Sequence, residues 1–230
     1  MSHPRAFALV LLLVPALLIA CSIGQPKAPD AKALLGAAAA KVEQPGSFHF
    51  DLTQQNGTTP ITGGIAMVSA TGDIAAKDRM RMNVKGKAGT LNLDVSFVVL
   101  PGSAYMSNPL TGKWDRTTID VSALFDPSTG LPALMRAVTE PRVAGTETVV
   151  GTQTYRIEAK IDSGQMALFA PGAEAGHAVT ARAWIGVADQ RVYRIEVAGP
   201  ASASEAPNML RRLELSRFGE DFRIEAPALQ

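Results

Sequence analysis

The chain has 230 residues, 47% of them hydrophobic and 6% aromatic, which is enough for one sizeable domain with a substantial core. Its 22 Lys and Arg against 21 Asp and Glu leave a net charge of +1 with no basic block, which removes the electrostatic case for nucleic acid and for adhesion to anionic lipid by charge alone. A single cysteine excludes an internal disulfide framework.

Arg5 precedes an unbroken apolar run of 14 residues, 7–20 (FALVLLLVPALLIA). A spanning helix needs about 20 such residues, so the run has the length of a signal-peptide core, with small Ala20 where cleavage is expected. Leu18-Ile19-Ala20-Cys21 resembles the bacterial lipobox, whose cysteine is diacylated (with palmitate, for example) and becomes the mature N-terminus. Residues 1–20 are therefore expected to be removed, and lipidation of Cys21 accounts for a lone thiol in an exported chain. Arg5 is the only charge in that leader, so 21 cations and 21 anions remain. Attachment then rests on the acyl chains, and two of them anchor stably where one is marginal. This places the protein in the cell envelope, on the extracytoplasmic face of the cell membrane. Residues 21–30, with Gly24, Pro26 and Pro29, read as a lipidated flexible tether, and residues 31–230 as the domain.

Residues 31–41 (AKALLGAAAAK) form an Ala-rich helix with Asp30 as N-cap and Leu34 and Leu35 on the buried side, ended by Pro45-Gly46. In residues 47–53, Phe48, Phe50 and Leu52 alternate with polar residues, the period of a half-buried strand. Asn56-Gly57 supplies a turn. Ile65, Met67 and Ala75 continue the pattern weakly, and Met80, Met82 and Val84 continue it well. Residues 86–89 (GKAG) turn the chain, and Leu91, Leu93, Val95, Phe97 and Val99 give the clearest strand. A one-turn helix at 121–125 and a helix at 131–138 (LPALMRAV) interrupt the strands. Tyr155, Ile157, Ala159 and Ile161 resume them, followed by a short helical piece at 164–169 and strands at 180–187, 192–197 and around Leu213 and Leu215; Phe222 and Ile224 close the chain. Two groups of strands thus flank a partly helical crossover, and clean alternation indicates antiparallel pairing with one wet face.

No constellation for catalysis stands out. His49 lies on a polar strand face and His177 in a Gly/Ala-rich loop, neither with a second His or Cys at ligand spacing, so neither a metal nor a cofactor is indicated. Neither a Gly-x-Ser-x-Gly elbow nor a Gly-x-Gly-x-x-Gly loop occurs, and the acidic residues are scattered singly on strand faces. An enzyme is not expected.

Several segments in order resemble the LppX/LprG (LppX_LprAFG) family of actinobacterial lipoproteins, which has a LolA/LolB-like architecture. They are Ala33-Leu34-Leu35 with Ser47-Phe48-His49-Phe50, Tyr105-Met106, Gly112-Lys113-Trp114, Leu124-Phe125-Asp126-Pro127 and Gly130-Leu131. Ala183-Trp184-Ile185, Arg191-Val192, the 213–219 segment (LELSRFG) and the 224–227 segment (IEAP) complete them. In that family a strand ends at such a Lys-Trp and a loop leads into a helix. Residues 170–178 (APGAEAGHA) and the 200–207 insertion match no family feature. The resemblance implies an α+β fold: a single strongly curved antiparallel sheet, a half-barrel, wrapped around a few helices with an apolar cavity between. It further implies an acyl lipid or lipoglycan as ligand, carried between membrane layers by a monomer, with a membrane transporter as a partner.

Moving one 16-carbon chain into water costs about 12 kcal/mol at roughly 0.8 kcal/mol per CH₂. A protein cavity as oily as the bilayer recovers most of that without trapping the lipid. The seven methionines outside Met1 suit such an adaptable surface. The inward candidates for the lining are Phe48, Phe50, Met67, Met80, Met82, Leu91, Leu93, Val95, Phe97, Leu131, Leu134, Met135, Ile157 and Ile161. The competing readings are a surface adaptor that docks a membrane protein over an ordinary core, and a degraded hydrolase; a ligand cavity should exceed roughly 300 Å³. Palmitate labelling in cells is expected to mark the wild-type chain and not Cys21→Ala; label retained by the variant would dismiss the anchor.

Overall fold

A computed structural model describes residues 28–61, 64–167 and 169–229. The leader, Cys21 and most of the tether lie outside the described residues. Helix α1 (Ala31–Glu43) starts where the Asp30 carboxylate accepts from the backbone N–H groups of Lys32 and Ala33, at 2.8 and 3.0 Å. It buries Leu34, Leu35, Ala38, Ala39 and Val42 on one face.

Twelve strands form one sheet in the order β7-β6-β5-β4-β3-β1-β12-β11-β10-β9-β8, with β2 attached to β3 and every pair antiparallel. The strands are β1 (Phe48–Gln55), β2 (Thr59–Pro60), β3 (Ala66–Ala76), β4 (Arg79–Ala88), β5 (Leu91–Leu100), β6 (Ser103–Ser107) and β7 (Trp114–Thr117). After the crossover come β8 (Thr139–Val149), β9 (Thr152–Asp162), β10 (Ala178–Gly186), β11 (Val192–Ala198) and β12 (Leu210–Ser216). Strand β1 lies in the middle, paired with β3 on one side and β12 on the other. The chain leaves the sheet at one edge, β7, and rejoins it at the other, β8. Between them a 3₁₀ turn (Val121–Phe125) and helix α2 (Leu131–Ala137) lie on the concave face against α1, tied to it by the Arg136–Glu43 ion pair. The expected α+β half-barrel around helices is the fold observed.

The register aligns apolar rows across the concave face. One runs Val95, Val84, Ala70, Leu52, Leu213, Ile195, Ala183, Ile157 and Val143, and the next runs Met106, Phe97, Met82, Gly72, Phe50 and Leu215. The convex face carries charges in matching rows: Arg142, Glu158, Arg182, Glu196 and Arg212 alternate in sign across five neighbouring strands. Buried Glu196 sits between Arg212 at 2.7 Å and Arg182 at 3.4 Å. Trp184 also faces outward, covered by the Arg194 guanidinium 5.2 Å above its ring and donating to Glu147 at 2.9 Å.

Four expectations change in the structure. Residues 86–88 continue β4, and the turn is confined to Gly89-Thr90; Gly86 is needed because a Cβ there would come 2.5 Å from Ile65 Cγ2. In β3 a register shift between Met67 and Ser69 changes the phase, so Ala70, Gly72 and Ile74 point inward and Ala75 does not. Lys113-Trp114 opens β7 where the resemblance placed the end of a strand. Strand β8 had no sequence signature, because it is an edge strand with mostly exposed residues and a proline at 141, features that protect a free edge.

The crossover is fixed at its start by Asp126, whose carboxylate accepts from the N–H groups of Ser128 and Thr129 at 2.8 and 2.9 Å, holding its pKa below the ordinary value. A Cβ on Gly130, the residue before α2, would lie 2.6 Å from Leu124 O and 2.7 Å from Ala123 O, which are backbone atoms with little freedom to yield. Gly130→Ala is expected to cost about 1–3 kcal/mol, read as a lowered midpoint in denaturant.

Candidate binding site

The half-barrel is stoppered at both ends. At one, Phe48, Phe125, Phe218 and Tyr193 pack as aromatic pairs with ring centroids 5.3–6.3 Å apart. At the other, two loops after β9 and β11 meet: Glu174 N–H donates to Ala201 O at 2.8 Å, and the Glu174 carboxylate accepts from Ala203 N–H at 3.0 Å. These loops contain the 200–207 insertion and all of 170–178 up to the start of β10, segments that now have a structural role as an end cap.

Between the stoppers, the helix pair and β9–β11 enclose a cleft lined by Leu35, Leu131, Leu134, Met135, Val138, Ile157, Ala159, Ile161, Ala181, Arg182, Ala183, Ile195 and Val197. Its volume is about 30 Å³, close to one water molecule's share of the liquid. A ligand-sized pocket has roughly 300–1,000 Å³. Helices and sheet therefore meet in a nearly closed apolar seam, far smaller than the cavity expected from sequence.

Of the fourteen residues expected in the lining, Leu131, Leu134, Met135, Ile157 and Ile161 border this cleft. Phe48, Phe50, Met67, Met80, Leu93, Val95 and Phe97 are buried in the core beneath the other half of the sheet, with Met82 partly buried beside them. Leu91 is 51% exposed, because it is the first residue of β5 at the rim. The lining residues that sequence reasoning missed are chiefly Ala159, Ala181 and Ala183. An alanine contributes little to a hydrophobic pattern, yet three of them on adjacent strands lower the floor of the cleft.

A larger depression of about 370 Å³ lies on the convex face, bordered by His49, Thr71, Asp73, Arg81, Asn83, Ser96, Val98 and Trp114. Short side chains in register across β3, β4 and β5 (Thr71, Asn83, Ser96) form its trough. Its polar groups bond one another: His49 Nδ1 lies 2.7 Å from Asp73 Oδ1, Arg81 Nε donates to Asp73 Oδ2 at 2.6 Å, and Asn83 donates to Ser96 at 3.2 Å. His49 is thus engaged in a cluster and is not a free surface group. Among the described residues no cluster of His, Cys, Asp and Glu has the makings of a metal site, and no helix is long and apolar enough to cross a membrane.

Residues 30–224 match the LppX_LprAFG lipoprotein family. The chain belongs to that family. Among LppX_LprAFG relatives, the lipoarabinomannan carrier protein LprG of Mycobacterium tuberculosis is 28% identical over 206 residues, covering 86% of this chain and 83% of the relative. The Mycolicibacterium smegmatis protein of the same name is 26% identical, covering 87% and 84%. The crystal structure of LprF from Mycobacterium bovis superposes with a TM-score of 0.69 at 18% identity, covering 87% of this chain and 98% of that one. That of LppX from Mycobacterium tuberculosis gives 0.59 at 20% identity, covering 85% and 100%. The fold is that of these lipoproteins.

Burial raises the Asp73 carboxyl, but hydrogen bonds from His49 and Arg81 and their charges outweigh it and hold the group below its ordinary value. Its stabilising effect is therefore complete above the unfolded value of about 3.9 and is lost as pH falls through the folded one. Asp73→Asn is expected to cost about 1–2 kcal/mol at pH 7. The difference in melting temperature from wild type should close as the pH drops below about 4.

Proposed function

We propose that this protein is a membrane-anchored carrier, held by lipid on Cys21, that takes acyl lipids or lipoglycans into the seam between its helix pair and β9–β11 and moves them between layers of the cell envelope. The observation that carries this reading is the seam: apolar in twelve of its thirteen lining residues, with Arg182 the exception, floored by alanines and covered by two helices. The names of the LprG relatives, lipoarabinomannan carriers at 26–28% identity, point the same way.

Loading requires the helix pair to lift. Exposing a large apolar side chain costs about 1.5–3 kcal/mol, so parting Leu35, Leu131, Leu134, Met135 and Val138 from the floor costs on the order of 10 kcal/mol. A 16-carbon chain that fills the gap regains about 12 kcal/mol. The two nearly cancel, which is the condition for a carrier that both accepts and releases. The Arg136–Glu43 ion pair makes α1 and α2 one moving body, with Gly46 and Gly130 at its hinges.

The narrowness of the seam favours a second reading, an adaptor lipoprotein whose interior is only core and whose surface docks a membrane protein. Native mass spectrometry and organic extraction of the purified Cys21→Ala chain separate the two. The carrier is expected to retain acyl lipid, and Ala181→Phe, which raises the floor of the seam, to reduce retention at least severalfold while the fold persists. A lipid-free wild type that crosslinks in cells to one dominant protein would establish the adaptor.

A further inference from the structure

In its central strands the concave face carries almost no charge. Alternation along β12 places Arg211 on the same face as Leu213 and Leu215, and its cross-strand neighbour Val197 lines the seam. In the registers of β1, β3–β5 and β9–β12, Arg211 is the one charged residue facing inward. Its side chain is 7% exposed, and its Nε and Nη1 are buried without a hydrogen-bond partner. Gln54, beside it on β1, is engaged with Thr59, whose hydroxyl donates to Gln54 Oε1 at 3.0 Å. One group meets the guanidinium: the Glu205 carboxylate, through Nη2.

A half-satisfied buried guanidinium is costly and planar, and its N–H groups are spaced to meet paired anionic oxygens. Glu205 belongs to the 199–209 segment that caps this end of the barrel, and its other oxygen accepts from Ala201 N–H at 2.7 Å. One carboxylate therefore pins the cap to the one inward charge of these strands. We propose that Arg211 anchors the phosphodiester of an acyl lipid lying in the seam, and that Glu205 is a gate that yields the guanidinium to the phosphate and so releases the 199–209 cap. This rests on the carrier reading and adds its ligand class, a phosphate-bearing lipid. A phosphate on Arg211 has its attached acyl chains next to Val197 and Ala181, at the head of the alanine floor. The displaced carboxylate, already 17% exposed, regains water as the cap moves outward.

The test uses the purified Cys21→Ala chain, alone and with Arg211→Gln or Glu205→Gln, and measures binding of dioleoyl phosphatidylglycerol, dioleoylglycerol and inorganic phosphate, with hydrogen exchange across 199–209. The expected result is a preference of about tenfold or more for phosphatidylglycerol over dioleoylglycerol, reduced to near unity by Arg211→Gln. Glu205→Gln should raise phosphatidylglycerol affinity by about tenfold and speed exchange in 199–209 before lipid is added. Phosphatidylglycerol should speed the same exchange in the Cys21→Ala chain that carries neither change. An unchanged preference in Arg211→Gln overturns the proposal and leaves the carrier reading standing. So does inorganic phosphate competing as strongly as the phospholipid, which would mark an ion site. Binding of neither lipid overturns both. Should Arg211→Gln fail to fold, the Glu205→Gln measurements decide: no gain in affinity and no faster exchange refute the gate.

Discussion

The pairing of β1 with β12 governs the rest of the molecule. It joins the first strand to the last along seven residue pairs, from His49 with Ser216 to Gln55 with Leu210. Two antiparallel meanders that would otherwise each expose an apolar face become one twelve-stranded sheet. A sheet of that width twists and curls, and the curl makes a concave side. Because both meanders grow outward from β1, the chain ends the first at one edge and must begin the second at the other. The connection crosses the concavity, and the physical consequence is α2 lying against α1 over β9–β11.

Closure and opening follow from the side chains at that crossing. Leucine and methionine from the helices meet alanine, isoleucine and valine from the strands, a combination that packs with almost no void. Packed interiors forfeit dispersion energy when they part, and an acyl chain restores contacts of the same kind. The aromatic stopper at one end and the hydrogen-bonded cap at the other leave the helix pair as the long side of the enclosure.

Charge is distributed with equal economy. Ion pairs on the convex face lie in registered rows, where each is partly solvated and contributes modestly; their effect is to make the outer side of a very wide sheet wettable and to cover Trp184. Inside, one guanidinium stands in an apolar field, and a neighbouring loop supplies its counter-charge. The outer network leaves one buried donor open, Arg156 Nε, whereas the single inner guanidinium leaves two, Arg211 Nε and Nη1.

The sequence by itself determined the local features. Asp30 caps a helix and alternation marks β1, β4, β5 and β9–β12, because each depends on neighbouring residues and on the period of one element; the apolar leader with Cys21 is the ground for the expected export and lipidation. Strand β8 was illegible, since an edge strand needs no apolar face. The phase of β3 was illegible too, since a single bulge reverses which residues point inward. For the site, Leu131, Leu134, Met135, Ile157 and Ile161 were readable as inward residues, but the alanines opposite them were not, and Phe48 to Phe97 were indistinguishable from lining until the sheet was assembled. Which apolar residues border a seam, that the seam is narrow, and that Arg211 lies on the concave face beside the lining residue Val197 were decided only by the tertiary structure. Those properties depend on the register of nonadjacent strands and on what packs opposite, and periodicity along one strand carries neither.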